Sequence, residues 1–280
     1  MSKNILVSAA QLNELIENRE CITVDCRYDF TNAGKARADW LAGHIPGAHY
    51  AHLDEDLASP IEPHTGRHPL PETMKFLRFL SSIGWSSGKL LVAYDDGSGA
   101  MAGRLWWLMR YYGQQAALLD GGLDAWIKAG FVLEKGDVTA KPAPLEVLAP
   151  RHDMIVSTDR LHAGLGELSV VDARAAERFS GAVEYLDSRA GHIPGSLNRP
   201  FDSNLGPDGL FKSPQQLRSE FAALLGDVPP ENVIHSCGSG VTACHNLFAM
   251  ELAGIGASLL YPGSWSEWIR DQDRPIETGP

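Results

Sequence analysis

The sequence predicts an α/β fold built twice, as two tandem domains that each carry a parallel sheet with helices on both faces. The first observation behind this is an internal repeat. Val24-Asp25-Cys26-Arg27 returns as Val171-Asp172-Ala173-Arg174, and Gly43-His44-Ile45-Pro46-Gly47 returns unchanged as Gly191-His192-Ile193-Pro194-Gly195. Gly97-Ser98-Gly99 returns as Gly238-Ser239-Gly240, and every offset falls between about 140 and 150 residues. A five-residue identity in register with other matches is hard to obtain by chance. The second observation is the alternation of short apolar runs with helix-length apolar stretches, the pattern of a parallel sheet covered on both faces. The third is length, since 280 residues is about twice a common domain.

Each copy opens on a helix signal. Ser8 with Gln11 three residues later makes a capping box, and Ser157 stands at the equivalent place. Residues 21–24 and 168–171 read as a first strand. A second strand, residues 90–94 or 232–235, runs into the Gly-Ser-Gly turn. An apolar helix follows (residues 104–112 or 241–253), ended by Gly113 or Gly254. Then come a short strand (117–119 or 258–260) and a Trp-bearing segment. The expected boundaries are residues 1–135, a proline-rich linker over 136–152, and residues 153–280. Ligands of such sheets bind at the carboxyl ends of the strands, where the Gly-Ser-Gly turns lie.

Composition narrows the partners. A formal charge of −11 repels phosphate backbones and anionic lipid, so neither nucleic acid nor membrane is expected. No apolar run approaches the roughly 20 residues that span a bilayer, and residues 1–20 lack a signal-peptide core. Four cysteines without a C-x-x-C pair argue for a reduced, cytoplasmic enzyme rather than a disulfide scaffold. No His/Cys grouping has zinc-ligand spacing, so neither metal nor cofactor is expected.

The chemistry points to Cys237. The second strand of the second copy delivers His235-Ser236-Cys237-Gly238-Ser239-Gly240-Val241-Thr242-Ala243. Glycines around a serine let the backbone curl so that successive N–H groups face inward, and the following helix adds its positive end. A cysteine opening such a loop is expected as the thiolate, the nucleophilic form. A buried structural cysteine is the alternative, and it suits Cys21, Cys26 and Cys244 better. In the first copy Asp96 reads as the counterpart of Cys237, so one of two sites has lost its nucleophile. A phosphatase loop would need arginine where Ala243 stands. A dinucleotide-binding reading of Gly238 to Ala243 lacks the acid that grips ribose after the next strand, Leu259-Leu260-Tyr261-Pro262. Sulfur or acyl chemistry on Cys237 remains.

With these residues the chain resembles the two-domain rhodanese family of sulfurtransferases over nearly its whole length. The duplicated Gly-His-Ile-Pro-Gly and the Gly263-Ser264-Trp265-Ser266-Glu267-Trp268 segment are marks of that family. Within it the Cys237 to Thr242 loop resembles the 3-mercaptopyruvate-using members. Thiosulfate-preferring members carry basic residues where Gly238 and Ser239 stand here, as a dianion requires. The resemblance implies two tandem rhodanese-like domains and a Cys237 persulfide. It implies Arg178 and Arg189 on the substrate, with Gly238, Gly240, Val241 and Thr242 around it. It also implies a relay of Ser239, His68 and Asp54, with His64 as the competing histidine. The implied partners are a small-molecule sulfur donor and a thiol acceptor such as thioredoxin, or cyanide. Use of thiosulfate, and a non-catalytic persulfide carrier or sensor, stay open as alternatives. His44 and His192, duplicated in the copy without a nucleophile, read as structural, as do Trp265 and Trp268.

Overall fold

The computed structural model describes residues 5–280; the first four residues of the expected N-terminal domain lie outside them. The chain forms two units. One comprises Met1–Ser59, Pro71–Arg151 and Pro207–Leu210, the other Pro60–Leu70, His152–Gly206 and Phe211–Pro280. These units differ from the expected boundaries in two ways. The linker runs with the first unit as far as Arg151 because it is bonded there. Ser81 Oγ donates to the Ala143 carbonyl at 2.6 Å, and the Arg151 amide donates to the Tyr111 carbonyl at 2.8 Å. In addition, each repeat gives a short segment, 60–70 or 207–210, to the unit built on the other repeat.

The first unit holds β1 (Leu6–Val7), α1 (Ala9–Glu17), β2 (Cys21–Asp25), α2 (Ala33–Ala42) and β3 (His49–Tyr50). These are followed by α3 (Thr73–Ser82), β4 (Leu90–Tyr94), α4 (Ala102–Tyr111), β5 (Ala116–Leu119) and α5 (Gly122–Lys128). Its strands pair in parallel in the order β1-β5-β4-β2-β3. The Ser8–Gln11 capping box forms as expected and starts α1. Leu12 of α1 and Trp126 of α5 pack on Val92 and Tyr94, which point to one face of β4.

The second unit holds α6 (Thr158–Ala163), β6 (Ser169–Asp172), α7 (Ala176–Phe179), β7 (Leu197–Asn198) and α8 (Pro214–Leu225). After these come β8 (Val233–Ser236), α9 (Ala243–Leu252), β9 (Leu259–Leu260) and α10 (Ser264–Trp268). The parallel order is β7-β6-β8-β9. Ile155 makes a single bridge to Leu260, where the first unit has β1 beside β5. Alternation along the strands divides the core. Val170 and Ile234 face Leu161, Trp265 and Trp268. Val171 and Val233 face Leu217, Phe221 and Met250. Both faces are apolar, which is why these strands read as continuous hydrophobic runs.

One device recurs in both units. Asp25 and Arg27, and likewise Asp172 and Arg174, form buried bidentate pairs at 2.7 Å. Each arginine also donates to the glycine carbonyl that opens the Gly-His-Ile-Pro-Gly turn, Gly43 or Gly191, at 2.8 Å. The turn histidines are bound likewise. His44 stacks on Trp40 and His192 on Phe179, with Nδ1 against the Trp40 or Phe179 carbonyl at 2.7 or 2.8 Å. Glu134 and Glu277 close the two turns by accepting from the Gly47 and Gly195 amides. The duplicated histidines thus hold turns together.

His235, on β8, carries a pH consequence. Its ring is wholly buried, with Nε2 3.0 Å from Met250 Sδ, and burial pushes its pKa down to about 3. Because the folded pKa lies below the unfolded value, stability is full above the unfolded pKa and is lost as pH falls toward about 3. The expected contribution to the slope is about 1.4 kcal/mol per pH unit below about pH 6. Denaturant unfolding of wild type and His235→Gln between neutral and acid pH checks it. The two slopes should differ by about one proton, and equal slopes would refute the assignment.

Candidate active site

The site is built where β8 ends. Cys237 is buried, and its Sγ accepts the Gly240 amide at 3.1 Å. Residues 238–242 then turn into α9, whose ten residues direct their positive end at the loop. Gly240 makes the turn possible with φ +77°, and its α-carbon faces the Pro262 carbonyl so closely that a β-carbon would sit 2.3 Å from that oxygen. Val241 is buried, and Thr242 stands at the N-terminus of α9 without a side-chain capping bond.

The tryptophan segment clamps this loop from the other side. Trp265 N donates to the Cys237 carbonyl at 3.0 Å, and Ser266 N donates to the Gly238 carbonyl at 2.9 Å. Ser264 Oγ accepts from Cys237 N at 3.1 Å while donating to the Tyr261 carbonyl at 2.9 Å. Ser264 does so with φ +53°, a left-handed conformation that the first unit gives to Gly122 at φ +54°. A hydroxyl on the Cys237 amide is retained against backbone strain of about 1–3 kcal/mol. Trp265 and Trp268 themselves lie in the core, as expected.

The segment Pro60–Leu70 supplies two further groups to the same unit. Gly66 lies flat on the tryptophan segment, where a β-carbon would be 2.5 Å from the Gly263 carbonyl oxygen. Arg67 N donates to Ser266 Oγ at 3.0 Å. His68 Nδ1 and Ser239 Oγ share a hydrogen bond of 2.7 Å, both residues being buried. His64 is 80% exposed and lies beside Glu62, so His68 is the histidine that reaches Ser239. Asp54 belongs to the first unit, where its carboxylate accepts the Tyr28 hydroxyl at 2.6 Å.

Guanidinium groups gather over Gly238. A β-carbon there would stand 2.8 Å from Arg67 Nη2 and 3.6 Å from Arg178 Nη1. Asp187 bridges the two arginines: Oδ1 pairs closely with Arg67, and Oδ2 accepts from Arg178 Nη2 at 3.1 Å. Glu184 accepts from Arg178 Nη2 at 2.8 Å. Burial pushes the Glu184 carboxyl up, but Arg178 and the amides of Leu186 and Asp187 outweigh it and hold the group below its ordinary range. Beneath them Arg174 stacks on the Trp265 ring at 4.9 Å. Burial would push Arg174 down, yet Asp172, Glu184 and Cys237 together raise it.

Two expectations change here. Arg189 was expected beside Arg178. Its guanidinium instead donates to the Gln272 carbonyl at 3.4 Å, because its own carbonyl is pinned by Trp265 Nε1 at 2.9 Å. The second guanidinium at the loop is Arg67, whose one signal in the sequence is its place next to His68.

The second change concerns the first copy. Ladder register sets Tyr94 opposite Asp25 and Ser236 opposite Asp172. The next residues, Asp95 and Cys237, are therefore equivalent; Asp96 corresponds to Gly238. Matching amides agree, Leu123 N donating to the Asp95 carbonyl as Trp265 N does to that of Cys237. The first loop carries one more residue before its left-handed glycine, Gly99, which the matching Gly-Ser-Gly strings conceal. The Asp95 carboxylate accepts from the amides of Gly97, Gly99, Met101 and Ala102 at 2.8 to 3.2 Å. The amide cradle of the first copy is thus filled from within by a side chain. Burial, only partly offset by those amides, keeps the Asp95 carboxyl above its ordinary range.

The other thiols differ in surroundings. Burial pushes Cys26 well up and Cys21 up, and the Cys244 thiol donates to the Gly240 carbonyl at 3.4 Å. Among the described residues only Cys237 combines an amide donor to its sulfur with a helix N-terminus and with guanidinium groups over the residue that follows it. That is the arrangement of a cysteine nucleophile acting on an anionic substrate. Residues 8–129 and 157–271 each match the rhodanese-like domain, and the chain belongs to that family with two copies of its domain. Among its relatives is a Pseudomonas aeruginosa protein described as a probable 3-mercaptopyruvate sulfurtransferase, 43% identical over 100% of both chains. A Mycobacterium tuberculosis protein, provisionally named a thiosulfate sulfurtransferase, is 36% identical over 98% of this chain and 97% of its own. The crystal structure of Escherichia coli SseA, described as a 3-mercaptopyruvate sulfotransferase of rhodanese fold, is 32% identical. It superposes with a TM-score of 0.81 over 95% of this chain and 100% of that one.

Proposed function

We propose that this protein is a sulfurtransferase that carries sulfane sulfur from 3-mercaptopyruvate through a Cys237 persulfide to a thiol or cyanide. The observation that carries the reading is the Cys237 sulfur itself, seated on the Gly240 amide at the mouth of a loop without basic residues. The Cys237 thiolate attacks the donor sulfur, its carbon–sulfur bond breaks, and pyruvate leaves as the enolate. A proton then reaches the enolate carbon; the buried Ser239–His68 pair, 2.7 Å apart, is the hydroxyl–imidazole couple on the cysteine loop suited to deliver it. Arg178 and Arg67 hold the donor carboxylate, and the loop amides stabilise the charged sulfur. The acceptor thiolate next attacks the outer persulfide sulfur and regenerates the Cys237 thiolate. Thioredoxin or a small thiol suits that role, and a cytoplasmic setting suits a protein whose four cysteines form no disulfide with one another.

Thiosulfate is the second reading. Arg67 favours it, because its guanidinium stands beside Gly238 where thiosulfate-preferring relatives carry a cation on the loop. Initial rates with each donor at several fixed cyanide concentrations separate the two. The expected result is parallel double-reciprocal lines, from the two-step covalent mechanism, and kcat/KM at least about tenfold higher for 3-mercaptopyruvate. A clear thiosulfate preference reverses the donor assignment. A stable persulfide without turnover would mark a carrier or sensor instead.

A further inference from the structure

We propose that Asp187 sets the charge preference of the donor site, its carboxylate offsetting Arg67 and Arg178 so that a monoanion is chosen over a dianion. The proposal rests on the sulfurtransferase reading above and adds to it a residue that selects the donor without touching the reacting sulfur.

The ion-pair network that holds Arg67 and Arg178 is balanced in charge. Arg67, Arg174 and Arg178 face Asp172, Glu184 and Asp187, three cations against three carboxylates. Asp187 differs from the other two acids in its partners. Asp172 serves Arg174 and its turn, and Glu184 sits under Arg174 and Arg178. Asp187 alone reaches both guanidiniums nearest the loop, Arg67 on one oxygen and Arg178 on the other. Its side chain is 4% exposed, and that of Arg67 is 23% exposed, so solvent screens this bridge weakly. A carboxylate already lies between the two groups that a donor anion must engage.

The consequence differs between donors. A keto-acid monoanion can take over hydrogen bonds from Asp187 one for one, since both are planar carboxylates. Thiosulfate brings two charges into a site whose cations are already matched. One unit charge at mid-distance in such a partly screened site is worth about a tenfold change in binding. Asp187→Asn keeps the shape of the side chain and raises the local charge by one.

The test is kcat/KM for 3-mercaptopyruvate and for thiosulfate, with cyanide as acceptor, in wild type, Asp187→Asn and Arg67→Met. In Asp187→Asn the thiosulfate value should rise about tenfold, mainly through KM, with the 3-mercaptopyruvate value moving less than about threefold. In Arg67→Met, which leaves Asp187 less compensated, the ratio should move toward 3-mercaptopyruvate by about fivefold or more. A residue that merely held the arginines in place would depress both donors together and leave the ratio unchanged. A donor ratio in Asp187→Asn within about twofold of wild type overturns the proposal, whatever Arg67→Met shows. If Asp187→Asn lacks a cooperative melt, Asp187→Ser, which removes the same charge, is read in its place. A wild type that forms no persulfide from either donor defeats the sulfurtransferase reading; a working wild type with an unmoved ratio defeats the Asp187 proposal only.

Discussion

Replacing Cys237 by serine abolishes formation of the persulfide, and with it sulfur transfer from any donor. A serine hydroxyl is hardly ionised near neutral pH, and oxygen attacks divalent sulfur far less readily than a thiolate does. The loop, its Gly240 amide at 3.1 Å and the helix behind it remain, so the fold and donor binding persist. The expected fall in kcat/KM exceeds about 10³-fold, roughly 4 kcal/mol of barrier. Intact mass after exposure to 3-mercaptopyruvate should show the gain of one sulfur atom in wild type and none in the variant. Cys244→Ser is the control. Its hydroxyl can still donate to the Gly240 carbonyl, so most activity is kept. Retained turnover in Cys237→Ser would remove the basis of the proposed mechanism.

Gly240→Ala produces the next largest loss, through geometry rather than chemistry. At φ +77° an alanine pays about 1–2 kcal/mol for its β-carbon even in open space. Here that carbon meets the Pro262 carbonyl oxygen at 2.3 Å, and backbone cannot rotate away as a flexible side chain would. The loop must shift, and the Gly240 amide then leaves the Cys237 sulfur. An expected drop of about 10² or more in kcat, with KM changed less, follows from losing one preorganised donor. The melting temperature should fall as well, because the same shift loosens the loop from the tryptophan segment. Unchanged kcat with an unchanged melting temperature would show that the loop tolerates displacement.

The sequence displayed those parts of the fold whose pattern is local. Residues 90–94 read as a strand and form β4 with the same bounds, because five apolar residues run straight into a glycine turn. The duplicated Gly-His-Ile-Pro-Gly announced two sheets, and the cysteine at the second turn marked the proposed nucleophile. What escaped was set at long range. The two-residue strands β3 and β7 exist only by pairing with β2 and β6, and α2 has too weak an apolar stripe to declare itself. Arg67 could not be chosen over Arg189, because the packing of Gly66 on Gly263 decides where the segment goes. Equal Gly-Ser-Gly strings in loops of unequal length point to Asp96 as the counterpart of Cys237, and only the strand ladders put Asp95 in that place.

The segment Pro60–Leu70 also bears on how this gene could evolve. The first repeat has no cysteine in its cradle, which the Asp95 carboxylate fills. It is not free to be deleted, because its chain carries the Arg67 and His68 that stand at the cysteine of the second. Shortening the gene to one repeat would cost two groups at once. What the first repeat contributes at the second cysteine is this loan of two groups, not a cysteine of its own.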